Sequence, residues 1–172
     1  PRLREIFDAG TGSDPALWQG MVEMGLAGLM VPEEHGGAGM ELLELALVSE
    51  ALGSGALPSP FLGHSLAALA LVLGGSEAQK SCWLPRLATG DVIGTYAVAE
   101  ADSQWEPSEW KVEAHAGELN GTKLYVPHAD IADLMVVGCA GGGLALVERE
   151  TAGVSLESMH GIDRTRPIFK VV

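Results

Sequence analysis

The residue types that could do chemistry gather at three places in this chain. The first is GTYAVAEADSQWEPSEW, residues 94–110, where a small, apolar, β-compatible run from Gly94 to Ala99 gives way to Glu100, Asp102, Glu106 and Glu109, with Trp105 and Trp110 among them. A core strand that ends on an acidic, tryptophan-bearing loop is either an ordinary strand exit or a strand that carries a site at its end. The second place is PEEHGG, residues 32–37, which sets Glu33 and Glu34 beside His35. Two carboxylates and an imidazole suit acid–base work, but the residues favour a polar turn leading to a helix. The third is Asp163-Arg164-Thr165-Arg166. Its guanidinium groups could clamp a phosphate, yet a surface turn with self-paired charges is the reading preferred.

Other chemistries lack their signatures. There is no G-x-G-x-x-G after a strand, no P-loop, no G-x-S-x-G and no H-E-x-x-H. His35, His64, His115, His128 and His160 are scattered singly, without the spaced neighbours of a metal site. Cys82 and Cys139 form neither a metal spacing nor a disulfide framework, so a reducing, cytoplasmic compartment is expected. A net charge of −13 argues against nucleic acid or an anionic membrane surface as partner, since phosphates would be repelled. The uncharged stretch 51–75 is broken by Gly53, Gly55, Pro58, Pro60 and Gly63. Its unbroken part, 65–73, is too short for a span of about 20 apolar residues and reads as a helix buried in protein.

The elements that must position these residues change character near residue 92. Upstream the apolar spacing is helical. Asp14-Pro15 is a cap and first helical position, followed by Leu17, Met21 and Met24. Residues 41–52 carry Leu42, Leu43, Leu45, Ala46, Leu47 and Val48 around most of a helix, which predicts a central helix of a bundle. A similar helix follows over 61–73. Ser76 to Gln79 is a capping box that opens another helix, with Pro85 expected to kink it. Downstream, residues 92–99, 110–116, 118–126, 134–138 and 144–147 read as short strands, with 154–156 and 168–172 as further candidates. The fold class expected is α+β multidomain: an all-α helical bundle over 1–91, then an antiparallel β-barrel-like domain over 92–172.

Three segments carry a resemblance. GLAGLMVPEEHGGAGMELLELALVSEALG (25–53) resembles the N-terminal helical domain of acyl-CoA dehydrogenases. GSEAQKSCWLPRLATGDVIGTYAVAE (75–100) is similar to that family's passage from its last N-terminal helix into the first strand of its middle β-domain. GELNGTKLYVPHADIADLMVV (117–137) resembles the family's strand pair around N-G-x-K-x-W-I-T-N. The segments cover nearly the whole chain in the family's order. The resemblance implies FAD as cofactor and an acyl-CoA thioester, fatty or steroid, as substrate, in a homo- or hetero-oligomer. A glutamate would take the α proton and flavin N5 the β hydride, with the thioester carbonyl polarised by hydrogen bonds. In the family the base lies in a C-terminal helical domain, which this chain does not include. No catalytic residue is therefore assigned here, and residues 1–172 alone are expected to be inactive.

The same resemblance places Tyr96, Val98 and Ala99 at the Y-x-V-T strand end that meets the flavin, and Tyr125 and Pro127 at the second flavin-contacting strand. Ala99 stands where the family has a threonine hydroxyl. Tyr125 replaces a tryptophan, and Pro127 replaces a threonine and has no N–H to donate. Gln104 and Trp105 stand at the Gly-Ser positions of T-E-P-x-A-G-S-D, where a small residue leaves room for the acyl-CoA. A lost buried hydrogen bond costs roughly 0.5–1.5 kcal/mol, so several losses on one ligand weigh heavily. Three functions follow: a working FAD-dependent acyl-CoA dehydrogenase, a non-catalytic partner subunit with a degenerate pocket, or an acyl-CoA-binding or protein-interaction module on the same fold.

Overall fold

The computed structural model describes residues 2–101 and 106–172. Helix α1 (Arg2–Ala9), which the apolar spacing does not announce, buries no residue. In α2 (Pro15–Glu23) the Asp14 carboxylate accepts the N–H groups of Ala16 and Leu17 and pairs with the Arg2 guanidinium. This cap satisfies two of the orphan donors of a helix start. PEEHGG forms a 3-10 turn over Glu33–His35 that stops at Gly36 in the left-handed region, as the turn reading requires.

Helix α3 (Leu42–Ser54) corrects the expectation of a central helix. Only Leu45 is buried, while Leu42, Leu43 and Leu47 are 62%, 66% and 57% exposed. Helix α4 (Phe61–Gly74), also expected to be buried, is central: it buries Phe61, His64, Ser65, Ala67, Ala68 and Leu71. Helix α5 (Glu77–Ala88) begins at the predicted Ser76–Gln79 capping box, runs through Pro85 and buries Leu84, Leu87 and Ala88. Both α3 and α4 are apolar nearly all round, so periodicity alone does not say which of them the core will surround.

The strands are β1 (Gly94–Ala97), β2 (Glu113–His115), β3 (Glu118–Asn120), β4 (Lys123–Pro127), β5 (Leu134–Cys139), β6 (Gly143–Glu148), β7 (Leu156–Met159) and β8 (Ile168–Val171). The expected single strand over 118–126 is two strands, divided at Gly121. Among the described residues the strands form three separate sheets, ordered β1-β5-β6, β2-β3 and β4-β8-β7. No barrel closes, and the all-antiparallel expectation also fails, because β1 pairs with β5 in parallel from Gly94↔Leu134 to Ala97↔Val137. The physical reason is that alternation marks a strand but not its partner. The intervening strands give the chain enough length to cross over and re-enter beside β1 in the same direction.

Two details shape the cleft described below. Helix α4 lies directly on β1, because Gly94 has no side chain: a Cβ there would come within 2.8 Å of the Ala67 Cβ. Strand β4 carries a one-residue bulge, since Lys123 faces Val171 while Val126 faces Phe169. The bulge puts Tyr125 at φ 57°, uncommon for a bulky residue. A core cluster of Val31, Ala68, Leu71, Leu84, Leu87, Val92 and Leu134 joins helices to strands.

Candidate functional site

Helices α3 and α4 meet strands β1, β4 and β8 along a cleft of about 490 Å³. Tyr96, Tyr125 and Pro127 form part of its strand wall, and Leu52, Leu57 and Phe61 line the helical side. Tyr96 reaches it because β1 alternates: Thr95 and Ala97 are buried on the opposite face. Tyr125 reaches it at the bulge, and the residue is 51% exposed. The Tyr125 N–H points at the Met159 sulfur, 3.5 Å away. Pro127 sits on β4, an edge strand where a missing N–H is tolerated. Its carbonyl accepts the Thr95 hydroxyl at 2.6 Å.

Val98 and Ala99 lie just past β1 and do not line this cleft. The Val98 carbonyl accepts Lys123 Nζ (3.3 Å), and the Ala99 carbonyl accepts the Leu124 N–H (2.9 Å). The structure thus brings Tyr96, Tyr125 and Pro127 together in one wall and leaves Val98 and Ala99 out of the cleft's lining. Gln104 and Trp105 lie outside the described residues.

The acidic strand exit resolves into a buried charge pair that spacing alone does not reveal. Lys123 Nζ donates to Glu100 Oε1 at 2.6 Å, with side chains only 3% and 7% exposed. The same carboxylate accepts the N–H groups of Lys111 (2.9 and 3.0 Å) and Val112 (3.2 Å). Burial opposes ionisation of Glu100, but the hydrogen bonds from Lys123, Lys111 and Val112 outweigh it and hold the carboxyl below its ordinary range. A carboxylate so fully engaged, and outside the cleft, is no proton acceptor for a ligand there. The signal in the sequence was position: Glu100 belongs to one resembling segment and Lys123 to another.

Two histidines are structural. His64 Nδ1 accepts the Gly94 N–H (3.2 Å), so Nε2 carries the proton and donates to the Ala27 carbonyl (3.1 Å). Burial lowers its pKa to about 4, against the pull of the Ala27 and Leu87 carbonyls. His128, at the rim of the cleft, contacts the Gly12 carbonyl through Nε2 (3.2 Å), and burial pushes its pKa down as well. Asp163 accepts from both the N–H and the hydroxyl of Thr165 and pairs with Arg166 at 3.6 Å. The basic loop is therefore largely self-paired, as read. Among the described residues no group of acidic, histidine or cysteine side chains could hold a metal ion, and no helix is long and apolar enough to cross a membrane.

Comparison with known proteins gives the family of the chain. The sequence profile described as Acyl-CoA dehydrogenase, N-terminal domain, matches residues 1–91. The chain belongs to the acyl-CoA dehydrogenase family. Mitochondrial isovaleryl-CoA dehydrogenase from Pongo abelii is 33% identical over 164 residues, covering 90% of this chain and 38% of that protein. The solved structure of a steroid ACAD variant superposes with a TM-score of 0.89 at 28% identity, over 99% of this chain and 49% of that one. The acyl-CoA dehydrogenase from Bacillus anthracis complexed with FAD gives a TM-score of 0.75 at 28% identity, over 91% of this chain and 29% of that one. The chain thus spans less than half the length of these relatives.

With FAD present in that relative, the strand wall here can be tested for fit. Tyr125 offers an exposed ring face suited to stacking. For the polar edge of a flavin the backbone of the wall offers little: Pro127 has no N–H and the Tyr125 N–H faces a sulfur, while Ala99, which has only a methyl, lies outside the lining. These residues of the chain do not by themselves supply the hydrogen bonds that the resemblance implied.

Proposed function

We propose that this chain forms the helical part (1–91) and the β part (92–172) of an FAD-dependent acyl-CoA dehydrogenase. In this reading the cleft wall of Tyr96, Tyr125 and Pro127 faces the flavin and the acyl-CoA thioester. The observation that carries it is the convergence of these three residues, 29 and 31 positions apart from Tyr96, on one cleft of a chain in this family. Cofactor hydrogen bonds missing from this wall would come from the rest of the protein or from a second subunit.

That depletion favours a second reading, in which the chain is a non-catalytic partner of a heteromeric dehydrogenase. The absorbance spectrum of the purified full-length protein separates the two. Flavin bands near stoichiometry in the protein alone support a self-sufficient dehydrogenase. Bands only after co-expression with a related chain support the partner subunit. Absence of bands in both preparations would sink both readings and leave an acyl-CoA-binding or protein-interaction module.

A further inference from the structure

The cleft wall crosses a seam. Tyr96 stands on β1 and Tyr125 on β4, and these strands belong to different sheets, so no ladder of backbone hydrogen bonds sets their separation. The seam is tied instead at two places. At one end the Thr95 hydroxyl bonds the Pro127 carbonyl. At the other, Lys123 Nζ bonds both the Val98 carbonyl and Glu100, beside the single backbone bond from Leu124 to Ala99. Glu100 extends this tie to the N–H groups of Lys111 and Val112, and so holds both flanks of the intervening loop. Trp110 closes the arrangement. Its ring lies 5.2 Å from Lys123 Nζ and fills the space where Gly138 has no side chain.

We propose that Glu100 and Lys123 are positioning residues for the cleft: their buried pair sets β1 and the Tyr125 bulge at one separation and so shapes the wall a ligand meets. Charge suits this task better than an apolar contact. An ammonium and a carboxylate out of water accept few geometries, because each unmet hydrogen bond is costly, whereas apolar side chains slide. Such a pair adds little stability over well-packed apolar residues and is better explained by the arrangement it specifies. The inference rests on the cleft being the ligand site, but the tie itself is open to test without any ligand.

The test compares Lys123→Met, Glu100→Gln and the double variant in the full-length protein, by thermal unfolding, hydrogen exchange and titration with free FAD. Lys123→Met strands a buried carboxylate and should lower Tm. The double variant removes both charges and should recover much of that Tm. If the pair positions the seam, exchange protection over 98–100, 111–112 and 123–126 stays lost in the double variant, and any FAD affinity of the wild type stays reduced. Recovery of protection together with Tm would overturn the proposal and make the pair merely structural. Should the double variant not fold, Glu100→Asp keeps the charge but shortens the reach. Loss of protection over those segments in it supports the clamp, and unchanged protection refutes it. A wild-type protein that binds no FAD would count against the functional reading, while the exchange result still decides the clamp.

Discussion

At Lys123 and His64, burial works against charge in opposite ways. Lys123 is charged, enclosed and paired, so its removal leaves Glu100 as a buried carboxylate without its counter-ion. Lys123→Met should therefore cost about 3–5 kcal/mol of unfolding free energy, measured by denaturant titration at neutral pH. A loss below about 1 kcal/mol would mean that water reaches the pair. His64 is kept neutral instead. Its pKa is near 4 in the fold and about 6.5 when unfolded, so the unfolded chain binds the extra proton between those values. Its contribution is complete above pH 6.5 and is lost as pH falls toward 4, in total about 3 kcal/mol. His64→Asn should flatten the slope of stability against pH between 6.5 and 4.5, although His128 adds a shift in the same direction that this variant leaves in place. An unchanged slope would show that His64 is not enclosed as described.

At the scale of elements, α4 takes the buried place expected of it and α3 does not. Helix α4 is central because β1 admits it: Gly94 leaves room for Ala67 and Leu87. Gly94→Val should force the helix off the strand, at about 1–3 kcal/mol or more, and unfolding measurements against wild type would show it. Helix α3 is also leucine-rich but carries Glu44 and Glu50, and it buries only Leu45. Its Leu43 and Leu47 remain exposed in residues 1–172 and make a sticky surface. Leu43→Glu with Leu47→Glu should reduce self-association of this 172-residue chain, read by light scattering, with little change in Tm. A large fall in Tm would mean that these leucines pack internally. The element types were largely legible in the sequence, since periodicity switches from helical to alternating near residue 92. The exposure of α3 was not, because it depends on which helix finds room on a neighbouring strand.

At the scale of the molecule, the strand wall of the cleft offers ring surface and little backbone donation, Ser49, Ser59, His128 and Arg166 stand elsewhere along the lining, and the chain spans less than half the length of its relatives. Residues 1–172 alone should therefore bind FAD more weakly than micromolar in calorimetry and turn over no acyl-CoA with an artificial electron acceptor. Micromolar or tighter binding would show that the donors at positions 99 and 127 are not needed. What the sequence by itself determined was membership of the family, the order of most helices and strands, the turn at 33–35 and the capping box at 76–79. These follow from local spacing and from segments that can be recognised one at a time. Only the tertiary structure decided that β1 runs parallel to β5, that no barrel closes among the described residues, that Val98 and Ala99 do not line the cleft, and that Glu100 pairs with Lys123. Each of these depends on which distant backbone or side chain a group meets once it leaves water, and a pattern of residue types along the chain does not carry that information.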